Sequence, residues 1–303
     1  MVTEMVNIVI GAVNATKNLI ETMRKLQIDI SMVFSLDEKA AGNISAYYPL
    51  HEYAQLHQIP YKKFKKINDD ENVELMRSIE PDYIFAIGFS QLVSKKILNI
   101  PKIAVIGCHP ADLPRYRGRA VVVWQMLNNV RHSKITMFRI DEGADSGDII
   151  AQEPYDIYPD EYAGELLERI DRVQIRLYEK TLPKLMNGTA VFTKQNDEEA
   201  TYALCRAPED GAIDWQSGTE EIIKLIRAVS HPYPGAYGMY DGKHKIIIWR
   251  AHVEENTRYI GAAGQIAEAA QREIKVLTRE RLLVITEYEN VDGVKIHVGH
   301  KLR

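Results

Sequence analysis

A chain of 303 residues has room for one large domain or two smaller ones, and 46% hydrophobic with 26% charged residues marks a folded globular protein rather than a disordered or fibrous one. A formal net charge of -4 gives no whole-surface attraction for nucleic acid. Cys108 and Cys205, the two cysteines, form neither a CxxC pair nor a disulfide framework; no stretch approaches the ~20 apolar residues of a membrane span and no secretory signal opens the chain, so a cytoplasmic location is expected.

In chain order, residues 5–11 read as a first buried strand, followed by a helix to about Leu26 with Asn14 or Thr16 as its cap. Residues 30–34 are a second strand and 36–43 a polar stretch. Tyr47, Leu50, His51, Tyr53 and Ala54 recur at helical spacing, and 74–79 ends another helix. Residues 83–88 read as a strand, 91–98 as a helix, and 102–106 and 134–140 as further strands. This alternation predicts an α/β fold: a mostly parallel sheet with helices on both faces, whose ligands bind beyond the carboxyl ends of strands. A long helix over 160–187 carries Leu166, Ile170, Val173 and Leu177 on one face, with Pro183 as a kink or stop. The polar stretch 189–206 reads as a linker. Beyond it lie one amphipathic helix, with Ile222, Leu225, Ile226 and Val229, and short β-runs at 244–249, 264–267, 282–287 and 294–298, which suggest a small β-barrel. The expected domains are 1–188 and 207–303.

Two loops carry the candidate chemistry. The first is Gly107-Cys108-His109-Pro110-Ala111-Asp112-Leu113-Pro114-Arg115-Tyr116-Arg117-Gly118-Arg119, at the end of a strand. The second is Asp141-Glu142-Gly143-Ala144-Asp145-Ser146-Gly147-Asp148, also after a strand. A lone histidine at a strand end is commonly structural, but rigid turns around His109 suit a functional loop, and imidazole changes protonation near neutral pH. Asp145 read alone is a solvated carboxylate; paired with His109 it would orient the ring and stabilise its charged form. Cys108 points to the opposite face of the strand from His109 and reads as packing. Arg115, Arg117 and Arg119 form either a solvated basic face or, beside a site, an anion subsite of paired donors. Tyr47 and Tyr48 would stack on a base or sugar, or belong to the core. No HExxH or Cys/His cluster points to a metal, no GxSxG to a serine nucleophile, and no GxGxxG to a dinucleotide.

The two loops, together with Arg206-Ala207-Pro208-Glu209-Asp210-Gly211-Ala212-Ile213-Asp214-Trp215 and residues 226–237, resemble the formyltetrahydrofolate-dependent formyltransferases over nearly the whole chain. The resemblance implies a Rossmann-like formyltransferase sheet followed by an OB-like β-barrel domain. It implies formyl transfer from N10-formyltetrahydrofolate, as co-substrate, to a primary amine without a metal. His109 and Asp145 match two of the family's three catalytic positions. The third, an asparagine two residues before the histidine, is Gly107 here. Either a backbone N–H or water replaces that donor, or the branch uses other donors, or activity is weak; losing one such donor costs about 10²–10³ in rate. By resemblance the folate would lie along Ile87, Gly88, Phe89 and Leu92 and the loop with Asp141 and Gly143, with Gly88 allowing close backbone approach to the pterin.

Within that family the sequence favours the amino-sugar branch: a nucleotide-linked amino-deoxysugar as acceptor, with Arg115, Arg117, Arg119, Tyr47 and Tyr48 on the nucleotide sugar. A pathway resembling pseudaminic-acid synthesis is one such setting. No nucleic acid and no membrane are expected as partners, and a homodimer is the assembly the branch implies. Methionyl-tRNA formyltransferase is the catalytic alternative, and a protein that binds folate and sugar nucleotide with little turnover is the non-catalytic one.

Overall fold

The structure, a computed structural model, describes residues 5–42, 44, 46–88, 91–270 and 273–303. Contacts divide the chain into two units. One comprises Met1–Val121, His132–Asp156 and Glu168–Ala203; the other comprises Val122–Arg131, Ile157–Leu167 and Leu204–Arg303.

The first unit is built on short apolar runs rich in β-branched residues, which suit a sheet covered on both faces. In chain order come β1 (Asn7–Gly11), α1 (Asn14–Lys25), β2 (Met32–Leu36), α2 (Leu50–Leu56), β3 (Tyr61–Phe64), α3 (Asp70–Ile79), β4 (Tyr83–Ile87), the single turn α4 (Lys95–Leu98), β5 (Ala104–His109) and the two-residue β6 (Arg117–Gly118). Then follow β7 (His132–Arg139), β8 (Ile149–Asp156), α6 (Ala163–Met186), which belongs to this unit from Glu168 onward, and the two-residue β9 (Tyr202–Ala203); α5 (Val121–Leu127) precedes β7 in the chain and beyond Val121 belongs to the second unit. The seven-stranded sheet has the order β3-β2-β1-β4-β5-β7-β8. The pairs from β3 through β5 are parallel; β5–β7 and β7–β8 are antiparallel. β1 and β4 carry fully buried runs, with Ile8, Ile10, Ile84 and Val105 in one cluster. The strand order reverses between β1 and β4, the place where an open α/β sheet leaves a crevice.

Several expectations change. α1 has Val13 at its cap, with no side-chain bond. Asn14 instead donates to Asp171 at 2.7 Å, and Thr16 donates from Oγ1 to the carbonyl of Ile87 at 2.6 Å. The helix is set by Thr16, Leu19, Ile20 and Met23 buried on one face rather than by a polar cap. The helix expected over 91–98 shrinks to α4. β3, β6 and β9 are too short or too polar to show a strand period. Pro183 sits inside α6 and does not end it. The segment 189–206 is a strap rather than a free linker: Thr193 bridges Ile149, and β9 pairs in parallel with β6. β7 runs antiparallel to β5, so the loop that follows it does not leave from a strand end next to His109.

The second unit holds α7 (Thr219–Val229), β10 (Ala236–Tyr240), β11 (His244–Glu254), β12 (Ile266–Ala269), β13 (Ile274–Leu277) and β14 (Leu282–Asn290). Its antiparallel sheet has the order β10-β11-β14-β13-β12, and register shifts around Arg250 bend it. Ile222, Ile223 and Ile226 bury the inner face of α7, which packs on β11. The strand expected at 294–298 is absent; bridging falls instead to Lys301, opposite Gln265, and Leu302, opposite Tyr240, which link the two edges of the sheet into a barrel-like closure. Among the described residues no helix is long and apolar enough to cross a membrane.

The Thr16 bond ties the β1–α1 turn to the end of β4 in a fully buried setting. Thr16→Val keeps the shape and removes the donor, so it should destabilise the protein by about 1–3 kcal/mol. Urea unfolding followed by far-UV circular dichroism checks this; an unchanged midpoint would show the bond to be dispensable.

Candidate active site

His109 is the last residue of β5 and is 8% exposed. Its Nε2 lies 2.8 Å from the carbonyl oxygen of Tyr116. A carbonyl only accepts, so Nε2 carries the proton and Nδ1 is the nitrogen left for chemistry. Nδ1 faces Asp145 Oδ2 at 3.7 Å, too long for a direct hydrogen bond and close enough to steady a protonated ring. The same Oδ2 accepts from the backbone N–H of Gly118 at 2.7 Å. One turn, residues 116–118, therefore orients both side chains from its main chain.

Backbone chemistry explains that turn. Gly118 takes φ +110°, a conformation few other residues adopt, and a Cβ there would lie 2.4 Å from the carbonyl of Ala203. Only glycine lets the strap pass so close, with Arg117 N–H donating to Thr201 O and Arg119 N–H to Ala203 O, each at 2.9 Å. Tyr116 and Asp145 themselves sit at φ +58° and +51°, uncommon for residues with side chains and a form of strain found at functional sites. Asp141 organises the second loop, accepting from Gly143 N–H at 3.0 Å and Ser146 Oγ at 2.7 Å.

The structure separates the three arginines. Arg115 and Arg119 are exposed, and Arg115 lies 3.7 Å from Glu199. Arg117 is 2% exposed and fully engaged, bonding Gln195 Oε1 twice (3.1 and 2.9 Å), Asp197 at 2.7 Å and the Tyr202 hydroxyl at 3.3 Å. Burial works against its charge, but the bonds to Asp197 and Tyr202 outweigh it and hold the guanidinium above its ordinary pKa. A substrate anion cannot reach it, which corrects the expectation for Arg117. The reason is geometric: the left-handed residues at 116 and 118 break the alternation that would put all three arginines on one face.

Tyr47 packs against the core and donates its hydroxyl to Leu36 O at 2.9 Å. Tyr48 is half-buried, with the Lys17 ammonium 5.6 Å from its ring centre. Both rings are thus engaged by the protein itself. Of the expected folate positions, Ile87 is buried and its carbonyl takes the Thr16 bond. Gly88 adopts φ +59°, Leu92 is 85% exposed, and Asp141 and Gly143 are exposed; Phe89 lies outside the described residues. Cys108 accepts from Gln174 Nε2 at 3.2 Å, and burial pushes its thiol up to about 11. Residues that the sequence did not single out are Tyr116, whose carbonyl fixes His109, and Gln195, which lay in a polar stretch with no signal of its own.

Position 107 is filled by its neighbours. A Cβ on Gly107 would fall 2.9 Å from both Ile140 Cγ1 and Phe138 Cε1, and Phe138 is 3% exposed. The site therefore has no room for an asparagine at 107 without repacking.

The family described as formyl transferase matches residues 3–182, and its C-terminal domain matches residues 206–299. The methionyl-tRNA formyltransferase of Agathobacter rectalis is 33% identical over 265 residues, 88% of this chain and 84% of that protein. That of Clostridioides difficile is 31% identical over 267 residues, covering 88% and 85%. Among solved structures, an N-formyltransferase from Helicobacter canadensis in complex with folinic acid and dTDP-3-aminofucose has a TM-score of 0.67 at 21% identity, covering 93% of this chain and 99% of that one. Methionyl-tRNA formyltransferase from Clostridium thermocellum has a TM-score of 0.60 at 21% identity, covering 90% and 99%.

Two predictions follow from the packing. Gly107→Asn should destabilise the protein by about 1–3 kcal/mol through overpacking against Phe138 and Ile140, with relief when Phe138 is shortened to leucine; a thermal or urea melt of the single and double variants reads this, and equal midpoints would refute it. At pH 8 the Cys108 thiol, with its raised pKa, holds only about a thousandth of its population as thiolate. Iodoacetamide followed by peptide mass spectrometry should modify exposed Cys205 and spare Cys108 until the protein unfolds. Early labelling of Cys108 would contradict the packing role.

Proposed function

This chain belongs to the formyl transferase family and is an N-formyltransferase that takes its formyl group from N10-formyltetrahydrofolate; we propose that the acceptor is the amino group of methionyl-tRNA. The observation that carries this acceptor is the similarity, above 30% identity and across both units, to proteins that bear that name. It reverses the order read from the sequence, which put an amino sugar first and expected no nucleic acid.

In the proposed reaction the neutral amine attacks the formyl carbon. The C–N bond to the acceptor forms as the carbonyl oxygen takes up negative charge. His109 Nδ1, whose ring is held by the Tyr116 carbonyl, accepts the amine proton. Asp145 stabilises the resulting imidazolium across 3.7 Å. With glycine at 107, charge on the formyl oxygen is met by the protonated His109 rather than by a side-chain amide. Collapse of the intermediate breaks the bond to N10, and the proton passes from His109 to that nitrogen, leaving tetrahydrofolate. Half-buried Gly88 and exposed Leu92, Asp141 and Gly143 are the surfaces offered to the folate; buried Ile87 contributes only backbone, and its carbonyl is already occupied.

A nucleotide-linked amino-deoxysugar is the second reading, and electrostatics favours it. Phosphate contacts dominate RNA affinity, whereas this chain carries a net charge of -4 and an exposed acidic run at Asp197–Glu199. Arg115 and Arg119 are the two arginines of the loop that remain exposed.

Tetrahydrofolate release, measured with methionyl-tRNA and with a panel of UDP- and dTDP-linked amino sugars, separates the two. Release with methionyl-tRNA, and acid-precipitable formyl label on it, is the expected result. Release with one amino sugar and silence with the tRNA would overturn the proposed acceptor and keep the reaction.

A further inference from the structure

We propose that Gln195 is a positioning residue, whose single side-chain amide locks the loop carrying Asp145 to the turn that holds His109. Gln195 is 5% exposed. Its Oε1 accepts from Arg117 Nε and Nη2 at 3.1 and 2.9 Å. Its Nε2 donates to the carbonyls of Asp145 and Gly147 at 2.8 and 2.7 Å. Guanidinium only donates and carbonyls only accept, so the amide can face just one way and every one of its hydrogen-bonding positions is used.

The bonds close a circuit. His109 is held by Tyr116 O, Arg117 binds Gln195, Gln195 binds the Asp145 main chain, and the Asp145 carboxylate returns to Gly118 N–H. Each catalytic side chain is therefore referenced to the other through the amide. The Asp145 backbone sits in the left-handed region, which aspartate tolerates better than most residues with a side chain but at some cost; the Nε2 bond to its carbonyl helps to hold it there. Gln195 is itself fixed from behind, because Thr193 exchanges two backbone bonds of 2.8 Å with Ile149 at the start of β8.

The inference rests on the assignment of His109 and Asp145 to the reaction. Gln195→Glu keeps the acceptor half of the amide and replaces the donor half with an oxygen facing two carbonyls. Gln195→Met removes both halves at similar volume. A displacement on the order of 1 Å in a catalytic group can cost on the order of 10²-fold, so both variants should lower kcat by about that factor, with the KM for N10-formyltetrahydrofolate little changed. The ¹⁵N shifts of the His109 ring should move in both, in proteins whose melting shows them folded. Turnover within about twofold of the parent, with unmoved His109 shifts, would reduce Gln195 to a strut of the strap and overturn the proposal. If one variant does not fold, the other decides. The nuclear magnetic resonance arm needs no acceptor, so a wrong acceptor and a wrong role for Gln195 give different results.

Discussion

Two backbone groups of a single turn, the carbonyl of Tyr116 and the N–H of Gly118, set the geometry of the site. The first selects the tautomer of His109 and the second aims the Asp145 carboxylate. Neither can be altered by changing a side chain, which makes the placement robust and makes the turn's own support decisive. That support is the strap, which adds two-residue β9 alongside β6 and sends Gln195 and Asp197 to the buried Arg117. A buried guanidinium is unfavourable unless its donors are satisfied. Here each of its three nitrogens donates, so the buried Arg117 serves as an anchor between the turn and the strap.

The sheet brings the two loops together by an indirect route. β5 enters parallel to β4 and delivers His109 at its carboxyl end. β7 returns antiparallel, pairing Thr136 with His109 and Arg139 with Ile106, so the loop after it starts three residues back along β5. It regains His109 only because residues 141–148 fold back, and the left-handed Asp145 is part of that return. The crossing costs backbone strain at 116 and 145, which the strap's hydrogen bonds offset.

His109 and Asp145 were legible in the sequence because rigid or glycine-rich punctuation surrounds them. The parallel core was legible because β1, β4 and β5 are continuous apolar runs. The strap was not: two-residue strands have no hydrophobic period, and a run such as Asn196 to Glu199 looks like solvated linker whether or not one neighbour is buried. Arg117 was misread for a related reason. In an extended chain the three arginines share a face, and only the left-handed turns at 116 and 118 rotate the middle one inward. The closing residues of the barrel, Lys301 and Leu302, were missed because each makes a single bridge rather than a strand. On the acceptor the sequence and its relatives differ: the net charge of -4 favoured a small anionic substrate, while relatives at 33% and 31% identity bear the name methionyl-tRNA formyltransferase.

In the proposed mechanism Gly107 leaves more of the work to His109, since Phe138 and Ile140 occupy the space in which a neighbouring side-chain donor would stand. The most direct test of the account is single-turnover release of tetrahydrofolate from N10-formyltetrahydrofolate by the parent and by His109→Asn, with the acceptor the parent uses. The proposed acid–base role of His109 predicts that the step slows by about 10²–10⁴-fold while the folate still binds. A variant that turns over within a few fold of the parent would contradict the central claim that proton transfer through His109 drives the reaction.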